Sequence, residues 1–208
     1  MIVVHHLNDS RSQRILWLLE ELALPYEIVQ HWRDTTTRLA PPSLKEIHPL
    51  GKAPVVVDGD RTLAESGTIV EYLILTYGKG RLAPAADRPA YADYLHWLHF
   101  AESSAMLPLM LGLYVGRLGD GGAQLQPRIQ AEIANHLDYM EAKLGTKPYF
   151  LGNDLTGADI QLSFVVEAAN ARGLLKDRPN LRAFVARIQA RPAYKRAIER
   201  GGPYSFAT

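Results

Sequence analysis

The chain has 208 residues, with 23 Lys+Arg against 22 Asp+Glu for a formal charge of +1 and 47% apolar residues. Such a balance sets up no field that would draw nucleic acid or an acidic membrane surface. The composition is that of a globular protein long enough for one large or two small domains. Cysteine is absent, which removes disulfides, Cys-based zinc sites and any protein-thiol nucleophile. The start "MIVVHHLND" has no basic segment leading into a long apolar run, so no signal peptide is expected. No stretch nears the ~18 uninterrupted apolar residues of a membrane span. A cytoplasmic protein with no membrane partner is the expectation.

Along the first eighty residues the hydrophobic period changes repeatedly. "IVVHH" is a short β-branched run and reads as a strand. Between Ser12 and Leu24, the stripe Ile15, Leu18, Leu19, Leu22 has helical spacing. "YEIVQ" is a second strand, "PPSLKEI" a short helix and "APVVVD" a third strand. "GD" then turns the chain into "RTLAE" as a hairpin. "SGTIVEYLILTYG" closes the unit as a helix from Ser66 to Gly78. The order β-α-β-α-β-β-α describes a small α/β sheet domain, assigned to residues 1–78.

Beyond the Gly/Pro-rich "YGKGRLAPAADRP" the strand signals stop. "RPAYADYLHWLHFAESSAMLPLMLGLYVGRL" is one long helix or a pair. "LQPRIQAEIANHLDYMEAKLG" carries Ile129, Ile133, Leu137, Met140 and Leu144 on one face. "TGADIQLSFVVEAANARG" opens with a capping box in spirit, Thr156 to Asp159, flanked by Leu155 and Ile160 as a staple. In "RPNLRAFVARIQARPAYKRAIER" the basic residues alternate with apolar ones at helical spacing, which reads as a solvated face. No groove-reading motif accompanies them, so no nucleic-acid partner is expected. Residues 87–208 are therefore assigned to an all-helical domain.

Local chemistry gives several candidates, each with a structural alternative. Ser10 followed by Gln13 fits an S-x-x-Q capping box at the start of a helix. His5 and His6 are adjacent on a strand and point to opposite faces, so they do not share a metal. His96 and His99, with Glu102 beyond, sit among Trp97 and Phe100, which favours aromatic core packing over metal ligation. No metal site is expected.

Ala53-Pro54 at the head of the third strand, with "ESG" opening the last helix of a β-α-β-α-β-β-α unit, resembles the glutathione transferase family. The motifs "HPLGKAPVV" (48–56), "LAESGTIVEYL" (63–73), "WLHFAE" (97–102) and "LTGADI" (155–160) extend the likeness over essentially the whole chain. Together with "SRSQRILWLLEEL" (10–22), they are most similar to the bacterial and fungal branch with a serine-type N-terminal motif. The resemblance implies a thioredoxin-like domain followed by an all-helical one, a homodimer, and glutathione as co-substrate. The implied reaction is attack of the glutathione thiolate on a small hydrophobic electrophile. Glutathione-dependent peroxide reduction, or a non-catalytic glutathione-binding or regulatory role on the same fold, are the alternatives.

The resemblance also assigns residues. In the family the bond before Pro54 is cis, so that Val55 offers its backbone to an extended tripeptide as in strand addition. Lys52, Ala53, Pro54 and Val55 form this element, with Lys52 set to neutralise the glycyl carboxylate. Ser66 and the amides of its helix suit the γ-glutamyl carboxylate, and Glu65 suits the ammonium. His48 and Arg14 are weaker candidates. In serine-type members the thiol-activating serine lies four residues before an arginine, as Ser10 does before Arg14. Ser12 and Asn8 are the alternates, because "DSRSQR" carries a second serine and an extra arginine. Tyr26 comes too late to serve as the phenol of tyrosine-type relatives. Met106, Leu109, Met110, Leu113 and Tyr114 are the candidate liners of the electrophile site, with bundle core the competing reading. The tail "GGPYSFAT" is left open between a cover and a loose end.

Overall fold

The computed structural model describes residues 1–207. Contacts divide the chain into two compact units, Met1–Ala85 joined by the segment from Ile188 onward, and Ala86–Arg187.

In the first unit the short β-branched runs become β1 (Ile2–Leu7), β2 (Tyr26–His31), β3 (Val55–Asp58) and β4 (Arg61–Leu63), which form a sheet of order β2-β1-β3-β4. β1 runs parallel to β2, from Ile2↔Tyr26 to Leu7↔His31, and antiparallel to β3, from Ile2↔Asp58 to His5↔Val55. A two-residue turn at Gly59-Asp60, with Gly59 at φ 59°, sends β4 back along Val56–Asp58. Glycine suits that position because it has no Cβ to clash at positive φ. β1 is central and almost wholly buried, which explains why "IVVHHL" lacks the alternation of a half-exposed strand.

Helix α1 (Ser12–Leu22) buries Ile15, Leu16, Trp17, Leu18, Leu19 and Leu22 and ends at Ala23 in a left-handed conformation. The unit is completed by α2 (Leu44–Ile47) and α3 (Ser66–Tyr77), the latter packed on α1.

The second unit holds α4 (Ala90–Phe100), a π-helical turn at Ala101–Ala105, α5 (Met106–Gly116), a 3-10 segment at Gly119–Leu125, α6 (Gln126–Leu144) and α7 (Gly157–Ala171). α8 (Pro179–Ala190) begins in this unit and crosses the division at Arg187. The long apolar pattern around residue 100 is thus a pair of helices joined by a wider turn, where Ser103 Oγ donates to the His99 carbonyl at 2.9 Å. By length and composition Ala90–Gly116 would pass for a membrane span, with a mean hydropathy of 1.2. Its buried side instead packs on α6 and α7. The five apolar residues read as the face of α6 are all buried. His96 lies in an aromatic cluster with Trp97, Phe100 and Tyr139, and its Nε2 is 3.1 Å from the Tyr139 hydroxyl. Among the described residues, no group of three or more His, Asp or Glu is arranged to hold a metal.

The structure departs from the sequence reading at the C-terminal end. The last helix, α9 (Pro192–Gly201), packs on α1 of the first unit. Its basic residues are not a merely solvated face. Arg191 makes a two-pronged bond to Glu21, at 2.5 and 2.9 Å. Arg196 and Arg200 both reach Glu20, at 2.7 and 3.0 Å. Tyr194 meets Trp17 edge-on at 5.5 Å between centroids. Gly201 permits this approach, since a Cβ there would stand 2.7 Å from Leu16 Cδ1. The tail also has a place: the Ser205 amide donates to Asp9 Oδ1 at 2.8 Å.

Candidate active site

The loop Asn8–Arg11 joins β1 to α1 and sets the first group of candidates. Asp9 takes a positive φ of 50°, and the sharp turn it allows brings Ser10 back over the start of the helix. Ser10 and Ser12 are both buried, at 5% and 0% exposure. The Ser12 amide donates to Ser10 Oγ at 3.2 Å, and the two hydroxyl oxygens are 2.7 Å apart. Ser10 therefore does satisfy an amide at the helix start. The expected capping box does not form: the Gln13 amide donates to the Ser10 backbone carbonyl at 3.2 Å instead of its hydroxyl, and the Gln13 side chain turns the other way. Its Oε1 lies toward Gly201, 3.0 Å from where a Cβ would be, and neither amide atom has a hydrogen-bond partner among the described residues.

Behind Ser10 the structure shows a contact that sequence reasoning missed. Ser12 Oγ is 2.8 Å from His6 Nδ1 and also accepts the Leu7 amide at 3.1 Å. Burial is the main force on His6, holding its pKa down to about 4; the neighbouring His31 adds to this, while a hydrogen bond to the Gly201 backbone and the charge of Asp9 act the other way. His5, on the opposite face of β1, turns instead to His31 at 3.1 Å. The alternation of a strand separates the two histidines as expected. A Ser12→Ala variant strands the Leu7 amide and His6 Nδ1 in a buried place. It should cost about 2–3 kcal/mol of unfolding free energy in urea titrations; a loss within error of zero would show that the cluster holds nothing together.

Asn8 is committed elsewhere: its Oδ1 accepts the Arg33 amide at 2.8 Å. Tyr26 is likewise removed from the competition. Its hydroxyl donates to Glu20 at 2.9 Å, the Arg200 guanidinium covers its ring at 3.7 Å, and burial with the Glu20 bond raises its pKa strongly.

The second group lies at the head of β3. The Ala53-Pro54 peptide is cis, and Lys52 is exposed on the loop that leads into it. Val55 pairs with His5 on one side, whereas the ladder with β4 stops at Val56↔Leu63. One edge of Val55 is thus outside the ladder, as a backbone docking site for an extended peptide requires.

The third group is the start of α3. Glu65 stands at φ 67°, ψ 114°, outside the regions open to a residue with a side chain. Strain of this kind, about 1–3 kcal/mol, gathers where function demands a geometry. Its side chain is exposed while Ser66 is buried. The free amides and positive end of a helix suit an anion. Arg14 ties this helix start to α1, donating from Nη1 to Ser66 Oγ at 3.3 Å. It is itself only 2% exposed, so Arg14 is a buried brace between two helix starts. His48 bonds locally, its Nδ1 accepting the Leu50 amide at 3.4 Å.

The five apolar candidates of the helical unit separate by burial. Met106 and Leu109 are core residues at 3% and 1% exposure, whereas Leu113 and Tyr114 are exposed at 36% and 56%. Met110 is half-buried.

A thioredoxin-like sheet domain with a cis-proline strand head and a strained helix start, followed by a helical domain, defines a class of protein. Comparison with known sequences gives the family. The profile of the glutathione S-transferase N-terminal domain matches residues 4–81, and that of the C-terminal domain matches residues 123–187. Glutathione S-transferase 3 of Schizosaccharomyces pombe is 36% identical over 96% of this chain and 88% of its own. Among solved structures, a glutathione S-transferase from Actinobacillus pleuropneumoniae superposes with a TM-score of 0.89 at 36% identity, over 99% of this chain and 94% of the other. A family member from Pseudomonas fluorescens, solved with two glutathione bound, matches at 26% identity and a TM-score of 0.78, over 95% and 92%. The chain belongs to the glutathione S-transferase family.

Proposed function

We propose that the protein binds glutathione on its thioredoxin-like unit and transfers the thiolate to small hydrophobic electrophiles, with the Ser10 hydroxyl as the donor that stabilises the thiolate. The observation that carries this reading is the position of Ser10. Its hydroxyl sits at the start of α1, and Arg14 of that helix is bonded to Ser66 at the start of α3. Two helix N-termini, an unladdered Val55 edge and a hydroxyl are thereby gathered in one unit, which suits a ligand with carboxylates, an extended backbone and a thiol.

In this reading the γ-glutamyl carboxylate meets Ser66 and the amides of α3, and Glu65 faces the ammonium. The cysteinyl backbone pairs with Val55, and Lys52 balances the glycyl carboxylate. A thiol with pKa ~8.5 is only a few per cent ionised at neutral pH, and the thiolate is the nucleophile. The hydroxyl donates to the sulfur and need not act as a base; the end of α1 favours the same charge. Met110, Leu113 and Tyr114 offer apolar surface for the electrophile on the helical unit. By family resemblance the working form is a cytoplasmic homodimer.

The test is titration of glutathione by calorimetry, followed by turnover of an aryl halide, an isothiocyanate and a hydroperoxide. Binding with conjugation of the first two supports the proposal. Reduction of the hydroperoxide alone would move the assignment to a peroxidase, and binding without turnover to a regulatory protein. Absence of binding would sink every one of these readings.

A further inference from the structure

The turn that carries Ser10 is gripped by a side chain from another part of the sheet unit. Arg33 lies just beyond β2, is half-buried, and spreads its side-chain N–H groups over three backbone carbonyls. Its Nε donates to the Asn8 carbonyl at 3.0 Å, its Nη2 to the Asp9 carbonyl at 3.3 Å and its Nη1 to the Arg38 carbonyl at 2.9 Å. A guanidinium is planar and offers its donors in a rigid fork, so one side chain fixes two successive peptide units in a single frame. The residue between those two units is Asp9, at φ 50°. That left-handed conformation is uncommon outside glycine and persists where the surroundings impose it.

The other contacts of the turn hold other atoms. The Asn8 amide donates to the His31 carbonyl at 3.4 Å, and Asn8 Oδ1 accepts the Arg33 amide at 2.8 Å; both fix Asn8. The Asp9 carboxylate pairs through Oδ2 with Arg38 at 2.8 Å and accepts the Ser205 amide through Oδ1 at 2.8 Å; both fix its side chain. The Asp9 carbonyl belongs to the peptide that leads into Ser10, and the Arg33 guanidinium holds it. Past that peptide, Ser10 Oγ accepts the Ser12 amide at 3.2 Å and lies 2.7 Å from Ser12 Oγ, while the Ser10 carbonyl accepts the Gln13 amide at 3.2 Å. Those bonds join near neighbours and follow the turn, whereas Arg33 ties the turn to a point 24 residues along the chain.

We infer that Arg33 is a positioning residue for Ser10: by holding the peptide units on both sides of Asp9, it sets where the Ser10 hydroxyl stands and so how well it meets the glutathione sulfur. The consequence for the sulfur rests on the glutathione reading above, but the clamp belongs to the ligand-free protein. Arg33 acts through the backbone and not by its charge. Lysine therefore does not replace it, because an ammonium is a single point without the fork.

Two measurements test it. In ligand-free protein, hydrogen exchange of the Ser12 amide, read by NMR, reports where its acceptor Ser10 Oγ stands. Exchange should quicken about three- to tenfold in Arg33→Ala and in Arg33→Lys; a wild-type rate in either overturns the inference. In glutathione complexes, the ultraviolet thiolate signal is titrated in both variants, each alone and combined with Ser10→Ala. With Ser10 present, each should lose thiol acidity by about three- to tenfold. With Ser10 replaced, neither should lose any beyond Ser10→Ala itself. Wild-type acidity in Arg33→Ala overturns the inference. So does acidity restored by lysine, which would make the positive charge the agent, and so does a further loss on top of Ser10→Ala, which would give Arg33 another route. Should Arg33→Ala fail to fold, Arg33→Lys carries both measurements. If wild type binds no glutathione, the functional reading falls while the Ser12 exchange still decides the clamp.

Discussion

Asp159→Ala should lower the unfolding free energy by about 3–5 kcal/mol, the largest single loss expected outside the apolar core. Asp159 has no exposed surface and sits at the third position of α7. Its Oδ1 accepts the Phe150 amide at 2.8 Å, and its Oδ2 accepts the Thr156 amide and hydroxyl, each at 2.8 Å. Alanine leaves two buried amides without acceptors, at about 1–3 kcal/mol each, and removes the capping box that starts α7. Since α7 is buried along nearly its whole length, fraying its first turn exposes the centre of the helical unit. Chemical denaturation read by circular dichroism checks the value; a loss below about 1 kcal/mol would show that water replaces the carboxylate.

The same residue has a pH signature. Burial raises the Asp159 carboxyl to about 6 against its hydrogen-bond donors, from an ordinary value of 3.8. Between those values the folded state binds a proton that the unfolded chain does not, so this group favours folding as pH falls from about 6 toward 4. Asp159→Asn, which cannot titrate, should remove that slope.

Ser10→Ala should raise the apparent pKa of bound glutathione thiol by about one to two units. A hydrogen bond to a charged acceptor is worth about 1.5–3 kcal/mol, and about 1.36 kcal/mol corresponds to one unit. Turnover at saturating glutathione and neutral pH should fall roughly 10- to 100-fold, recovering as pH rises and the unassisted thiol ionises. Affinity for S-methylglutathione, which has no thiol, should change little, because the proposed contacts of Val55 and Ser66 to the peptide do not involve Ser10. An unchanged thiol pKa would remove Ser10 from the mechanism. The positive end of α1 survives the substitution, so some acidity above that of free glutathione should remain.

Much of this was legible in the chain itself. The β-branched runs "IVVHH" and "APVVVD", the Gly-Asp hairpin and the face Ile129–Leu144 carry periods that local sterics and burial impose, so strands and helices fall where the pattern puts them. The cap at Thr156–Asp159 was legible because it acts within a few residues, whereas the cis bond at Ala53-Pro54 was expected only from the family resemblance. The helical pair around Ala101 was ambiguous, since a π-helical turn adds a residue without breaking the apolar run. The arginines of α9 misled as a solvated face because their partners, Glu20 and Glu21, lie at the other end of the sequence.

The amino-acid sequence by itself determined the two kinds of domain and the order of elements, because these depend on hydrophobic period, turn chemistry and short-range caps; the serine-type motif was read from the family resemblance. The tertiary structure alone decided the rest. It returned the C-terminal helix to α1 through Glu20 and Glu21, tied the tail to Asp9, and buried Met106 and Leu109. It also set His6 of β1 against Ser12 of α1. A linear pattern carries no record of what strand alternation and helix packing bring together.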